Sequence, residues 1–299
     1  MGTDAQARRS LDGIVTCSAD DRDAYLARLG LEGEPPSADA LHRLHRAHVE
    51  RVPWETLWIH LGQRWTLEID AAVQRIARGR RGGYCYHLNG AFSALLGSLG
   101  YDVRLHVGGV HGPAGPSVDT LTNHLALTVQ DLPSDANPGG SWYVDVGLGE
   151  ALYEPVPLAP GRSYQAPWRL ELEVASGDVG DWHLAHDPEG SFAGMSWLSA
   201  PTTIDAFEER HQWLSTSPES GFVRLLIVQR RDAIGVDALY ELTLRRIGSD
   251  TPDRTIESKH ELHDALGDVF ALDTTPIEAG TFESLWARLQ SSQAAYPRS

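Results

Sequence analysis

The sequence predicts an α+β protein in which helices come first, a long β region follows and a smaller mixed α/β part closes the chain. Three observations carry that order. Apolar residues recur at the helical period through the first hundred residues, the spacing switches to two from Tyr101, and helical spacing returns over 258–270 and 281–289. At 299 residues the chain is long enough for about two domains and a sizeable buried core.

Tyr25, Leu26, Leu29 and Leu31 form the first amphipathic patch, closed by Gly33 and the Pro35-Pro36 turn. Ser37 is placed to cap a second helix, whose Leu41, Leu44, His48 and Val49 share a face and which Pro53 ends. A third helix runs from about Asp70 to Ala77, and Arg78 to Gly83 forms a basic, glycine-rich turn. The fourth carries Leu88, Phe92, Leu95, Leu96 and Leu99 at the helical period, with Gly100 as its stop and Cys85 in its first turn.

Val103, Leu105 and Val107 then alternate, as do Leu125, Leu127 and Val129, and Val144, Val146 and Leu148. The turn-rich segment Asp131 to Ser141 joins the last two of these strands. Further strands are expected at Arg169–Val174, Val223–Gln229 and Ala238–Arg245. No internal repeat or low-complexity tract is present.

Composition excludes several classes. The formal charge is 25 − 41 = −16, which argues against nucleic acid or an anionic membrane as partner. Residues 1–13 are polar and lack the apolar core of a signal peptide; Gly2 is followed by Gln6 where a myristoylation site needs Ser or Thr. No apolar stretch approaches the roughly 18 residues of a membrane span. Two cysteines, Cys17 and Cys85, are too few for a disulfide framework or a Cys/His zinc site. These features predict a cytoplasmic protein. Basic residues other than Lys259 are all Arg, read here as genome composition.

Cys85 is the sharpest chemical feature. A helix N-terminus favours a thiolate, Gly82 and Gly83 allow close approach to a substrate, and the Cys85 N–H can donate to an oxyanion. From position alone, a nucleophile and a buried core cysteine are both open. His124 opens a strand, sharing its face with Ala126 and Thr128, and Asp145 lies opposite in face to Val144 and Val146. If their strands pair across 131–141, the two side chains meet, giving Cys85 a base and the base an orienter. An edge-strand His and a turn Asp are the plain alternative. His42, His45 and His48, three apart on one helix, lack an attached carboxylate or fourth ligand and read as solvated or capping histidines. Arg8-Arg9 and the Leu244–Gly248 segment read as surface charge, Cys17 as incidental, and Gly147 and Gly149 lack a dinucleotide fingerprint's spacing.

Arg81-Gly82-Gly83-Tyr84-Cys85, Asn123-His124-Leu125 and Val144-Asp145-Val146-Gly147-Leu148-Gly149 together resemble the three catalytic motifs of the arylamine N-acetyltransferase family. The likeness extends through Tyr25–Gly33, Leu41–Leu57 and Trp213–Phe222, over nearly the whole chain. It implies three domains: a helical bundle over 1–100 carrying the nucleophile, a β-barrel over 101–205 carrying His and Asp, and an α/β lid over 206–299. The core would be papain-like or transglutaminase-like.

The resemblance also implies a ping-pong reaction. Cys85, paired with His124 and supported by Asp145, takes an acetyl group from acetyl-CoA and passes it to an arylamine, arylhydrazine or N-hydroxyarylamine. Acetyl-CoA is then a substrate, with no permanent cofactor and no metal. Gly147, Leu148, Gly149 and the Trp213–Gly221 segment, Trp213 and Glu219 included, would border the CoA cleft; Thr120 and Leu121 would line the acceptor pocket. The chain departs from the family pattern at Leu148 (usually Phe), Thr56 (usually Asn) and Tyr86-His87 (usually Phe-Glu), and in a His–Asp interval of 145 − 124 = 21 residues. These departures bear on donor and acceptor choice. A pathway-specific amide synthase of the same family, drawing a larger acyl group from an acyl carrier protein, is the alternative. A Cys hydrolase or a non-catalytic binding module is more remote.

Overall fold

The computed structural model describes residues 8–9 and 15–295. The reading of residues 1–13 as a polar, unaddressed segment lies outside the described residues, apart from β1 (Arg8–Arg9), which pairs with β2 (Val15–Thr16). The helical part comprises α1 (Ala19–Leu29), α2 (Ala38–Arg51), α3 (Leu57–His60), α4 (Ile69–Ala77) and α5 (Cys85–Ser98). Ser37 caps α2 as expected, accepting from Ala40 N at 3.1 Å. Gly30, not Gly33, closes α1: it takes the left-handed conformation (φ 63°) and its N–H reaches the Ala27 and Leu26 carbonyls.

Eight antiparallel strands follow in a nearly closed barrel. They are β4 (Asp102–His111), β5 (His124–Gln130), β6 (Trp142–Val144), β7 (Val156–Pro157), β8 (Gly161–Gln165), β9 (Trp168–Val174), β10 (Trp182–Ala185) and β11 (Gly194–Thr202). Their spatial order is β7-β6-β5-β4-β11-β10-β9-β8, so the two edges are neighbours along the chain. The alternation on β5 decides the packing. Leu125, Leu127 and Val129 point at α5 together with Trp142, Val144 and Val146, whereas Ala126 faces the barrel interior with Tyr143, Leu184 and Trp197. Leu88, Phe92, Leu95 and Leu96 are completely buried in the first of these cores, each worth about 1.5–3 kcal/mol.

The last part holds α6 (Glu208–Thr216), α7 (Gly221–Arg224), α8 (Lys259–Asp264) running into a π-helical turn over Ala265–Val269, and α9 (Ala279–Ala295). A five-stranded antiparallel sheet joins β12 (Ile227–Arg231), β13 (Val236–Tyr240), β14 (Thr243–Ile247) and β15 (Arg254–Thr255) to β3 (Trp54–Glu55), borrowed from the helical part. No helix of the described residues is long and apolar enough to cross a membrane.

Three strand expectations are corrected. Over 223–229, Ser220 caps a helical turn, accepting from Phe222 N, and extended structure begins only at Ile227. The expected strand 238–245 is two strands, because Glu241 turns at φ 53°. The alternation through Leu148 breaks after Val144: Val146 N donates to Asn89 Oδ1 and Gly147 N to Asp145 Oδ1, so the side chains around Asp145 take the backbone out of the ladder.

Candidate active site

Cys85 starts α5, and no side chain caps that helix; His87 N donates to Tyr84 O at 2.9 Å, which leaves the Cys85 and Tyr86 N–H groups to meet a ligand. The preceding turn requires glycine. Gly83 sits at φ 141°, and a Cβ there would lie 2.7 Å from the His87 Cβ. The Cys85 thiol donates to the Asn123 carbonyl at 3.7 Å and is among the groups whose interaction raises the pKa of the His124 ring.

His124 and Asp145 meet diagonally across β5 and β6, whose register pairs Leu127 with Val144. His124 Nε2 donates to Asp145 Oδ2 at 2.6 Å, which leaves Nδ1 for the thiol. Tyr143 O–H also donates to Oδ2 at 2.6 Å, while Asn89 Nδ2 (2.7 Å) and Gly147 N–H (2.9 Å) donate to Oδ1. Both carboxylate oxygens thus accept two bonds within a buried site.

The electrostatics follow from these contacts. Burial alone would raise the Asp145 carboxyl, but the His124 charge and the bonds from His124, Tyr143 and Asn89 hold it below its usual range. Burial likewise works against a charged His124, yet the Asp145 carboxylate, Cys85 and their hydrogen bonds raise it from 6.5 to about 10. This raised value stabilises the fold fully below pH 6.5, and the contribution fades as pH rises through about 10. In an NMR titration the His124 ring is expected to keep its second proton at pH 8; loss of that proton below pH 7 would refute the ion-pair reading.

A family model described as N-acetyltransferase matches residues 37–278. The arylamine N-acetyltransferase of Mycolicibacterium smegmatis is 32% identical over 267 residues, covering 85% of this chain and 92% of its own. The chain belongs to the arylamine N-acetyltransferase family. A pineal gland isozyme of that enzyme from Gallus gallus is 29% identical over 246 residues, covering 75% of this chain and 82% of its own. The structure of the Mycobacterium marinum arylamine N-acetyltransferase superposes with a TM-score of 0.78 at 27% identity, covering 91% of this chain and 99% of that one. The same enzyme in complex with CoA gives 0.77 at 25% identity, covering 90% and 98%. This family member is accordingly an acyltransferase with the family's α+β fold.

Gly147 lies against Cys85. A Cβ there would be 2.8 Å from Cys85 Cα and 2.9 Å from Asn89 Nδ2. Gly147→Ala is expected to cut turnover about 100-fold with an unchanged far-UV spectrum, because displacing the Cys85 backbone misaligns the attack. Unaltered turnover would refute it. Leu148 is buried with the barrel-interior cluster of Tyr143, Trp168 and Trp197, and Gly149 (φ 66°) abuts Gln229.

Thr120 ends a 3-10 turn (Val118–Thr120), and Leu121 follows it. Arg210 of α6 donates to Asp119 O and stacks on Trp213, which is 39% exposed, so this turn and α6 share one side of the molecule. Glu219 is exposed, its N–H donating to Ser217 Oγ.

Sequence reasoning missed Asn89 and Tyr143. Asn89 is four residues after Cys85, a lone amide on an apolar helix, and Tyr143 is two before Asp145 on one strand; that spacing was the available signal. The histidines of α2 are also corrected: His45 and His48 are buried, not solvated. His45 bonds the Tyr153 and Asp145 carbonyls at 2.9 and 3.1 Å, His48 meets Tyr25 O–H at 2.8 Å, and burial lowers His45 to about 4. Among the described residues no group of three or more His, Cys, Asp or Glu side chains could hold a metal ion. Cys17 packs against the end of α5, its N–H donating to Ser98 Oγ at 2.8 Å, and burial raises its thiol.

Proposed function

We propose that the enzyme is a ping-pong arylamine N-acetyltransferase whose catalytic residues are Cys85, His124 and Asp145. The observation that carries this is the placement of His124 between the Asp145 carboxylate and the Cys85 thiol. In the first half-reaction the Cys85 thiolate attacks the acetyl carbonyl, the carbon–sulfur bond to CoA breaks, and the departing CoA sulfur takes the proton held by His124. The free N–H groups at the start of α5 stabilise the transient oxyanion.

Acetylation removes the sulfur charge that supported the His124 proton, so the ring becomes a base. A neutral arylamine, hydrazine or N-hydroxyarylamine then attacks the thioester. His124 accepts its proton, the bond to Sγ breaks, and the thiolate–imidazolium pair returns. Aromatic rings near α5, among them Tyr86 against Phe207 and Trp54 against Phe222, suit an aromatic acceptor.

We extend the reading to the rest of the chain. Residues 1–100, 101–205 and 206–299 act as nucleophile-bearing bundle, barrel and lid. Thr120 and Leu121 line the acceptor pocket, and Gly147, Leu148, Gly149, Trp213 and Glu219 border the CoA cleft. The reaction runs in the cytoplasm on small molecules. The named relatives favour acetyl-CoA as donor over a carrier-bound acyl group.

Intact-protein mass spectrometry after mixing with acetyl-CoA alone tests the assignment. One acetyl group is expected, mapped to Cys85 and discharged by an arylamine. No adduct from acetyl-CoA, with an adduct from a carrier-bound acyl thioester, would overturn the donor.

A further inference from the structure

Away from the active site, the C-terminal ends of α1 and α2 meet the turn that leads to Cys85. Arg28 Nη2 donates to Arg51 O at 2.6 Å and to Ala271 O at 3.1 Å, Arg51 Nη1 donates to Leu29 O, and Asp273 N donates to Arg80 O at 3.1 Å. These bonds join the Arg28 and Arg51 guanidinium groups at the ends of α1 and α2 and bring the Arg80 main chain beside Asp273; burial first, then the charges of Arg80, Arg51 and Arg230, push Arg28 down to about 10.

Such a convergence is out of character for a chain with a net charge of −16. Adjacent arginines are paired: Arg78 with Asp21, Arg81 with Glu55, and Arg230 with Asp237. Among the described residues, no carboxylate comes within ion-pair distance of Arg28, Arg51 or Arg80. Asp273 interacts with Arg80 only at longer range, and its Oδ1 already accepts from the N–H and hydroxyl of Thr275.

Capping of helix ends accounts for part of the arrangement, since Arg28 and Arg51 each bond the other helix's last carbonyl. It leaves the Arg28 Nε buried without an acceptor, and it gives the Arg80 guanidinium no role. Each guanidinium carries five donors; those of the exposed Arg51 and Arg80 face solvent with room for a ligand, and the Arg28 Nε beneath them has no protein acceptor.

We propose that Arg28, Arg51 and Arg80, with Arg230 at the rim, form a binding site for a small phosphate-class dianion. A dianion supplies the missing acceptors and the missing charge together, and guanidinium forks match its oxygens. Arg80 lies five residues before Cys85, so an occupant would also brace the turn that presents the nucleophile. The inference stands whether or not the proposed acyl transfer is correct.

Thermal unfolding of the full chain at pH 8 tests it, with inorganic phosphate replacing chloride at constant ionic strength. A saturable rise in Tm is expected, roughly 5 °C at about a hundredfold excess over Kd. Arg80→Gln and Arg51→Gln should each weaken the apparent Kd about tenfold, whereas Arg162→Gln, on the barrel surface, should match the parent. Phenyl phosphate distinguishes the source. Equal shifts assign the site to the free dianion, and a larger shift assigns it to a phosphomonoester. A non-saturating rise, or one unchanged in both Arg80→Gln and Arg51→Gln, would overturn the proposal.

Discussion

Asp145→Asn should lower kcat/KM about 10³–10⁴-fold, or roughly 4–5.5 kcal/mol of transition-state stabilisation. Four donors converge on this carboxylate, two on each oxygen. An amide keeps one acceptor and turns the other into a donor, so one pair of donors meets a hydrogen instead of a lone pair. If the NH₂ faces His124 and Tyr143, the ring loses the partner that fixes its tautomer. If it faces Asn89 and Gly147, the turn that shapes the Cys85 pocket loosens.

Either way the His124 proton loses its main support and the ring titrates far below about 10, which the same NMR experiment reads. A buried mismatch of this kind also costs about 1–3 kcal/mol in stability. The pH profile separates the two effects: a structural defect alone lowers the rate at every pH, whereas loss of the ion pair moves the alkaline limb, set by the His124 proton, downward. Near-parental kcat/KM in a folded Asp145→Asn protein would remove Asp145 from the catalytic assignment.

Cys85→Ser should abolish turnover more completely, by about 10⁵-fold or more, because a serine hydroxyl is no nucleophile at neutral pH without a much stronger base. The fold should survive, since the change is nearly isosteric at a residue with 4% exposure. The CoA and amine sites should remain, so acetyl-CoA should still raise the Tm of the variant while no covalent adduct forms. Measurable turnover with the parental acceptor profile would mean that acetyl passes directly from CoA to the amine, and the ping-pong scheme would fail.

The meeting of Cys85, His124 and Asp145 was legible because each sits in a short pattern with its own physical signature: glycines before Cys85, alternation around His124, and alternation into Asp145. The α2 and α5 helices were legible for the same reason, through a capping serine and an unbroken apolar face. Less visible were features decided by distant partners. Nothing near Val146 in the sequence announces that Asn89 will capture its amide and end β6. The separation of β13 from β14 rests on one residue, Glu241, in a left-handed conformation usually taken by Gly or Asn. The short β8 and β10 alternate too weakly to stand out, with several half-exposed positions, and they exist because the barrel supplies their neighbours. The burial of His45 and His48 belongs to this class as well, since Phe92 and the Asp145 carbonyl, both distant in sequence, enclose them.

Every residue of α5 from Cys85 through Leu96 is buried. That burial ties Cys85 to the core of the fold, and the hydrogen-bonded amides of α5 from Leu88 onward should reach solvent only through global opening. The Cys85 thiol and the centre of the first core therefore share one helix. Unlike enzymes whose sites fray on surface loops before the body melts, this one should hold its reactive geometry up to the unfolding transition and lose both at the same temperature.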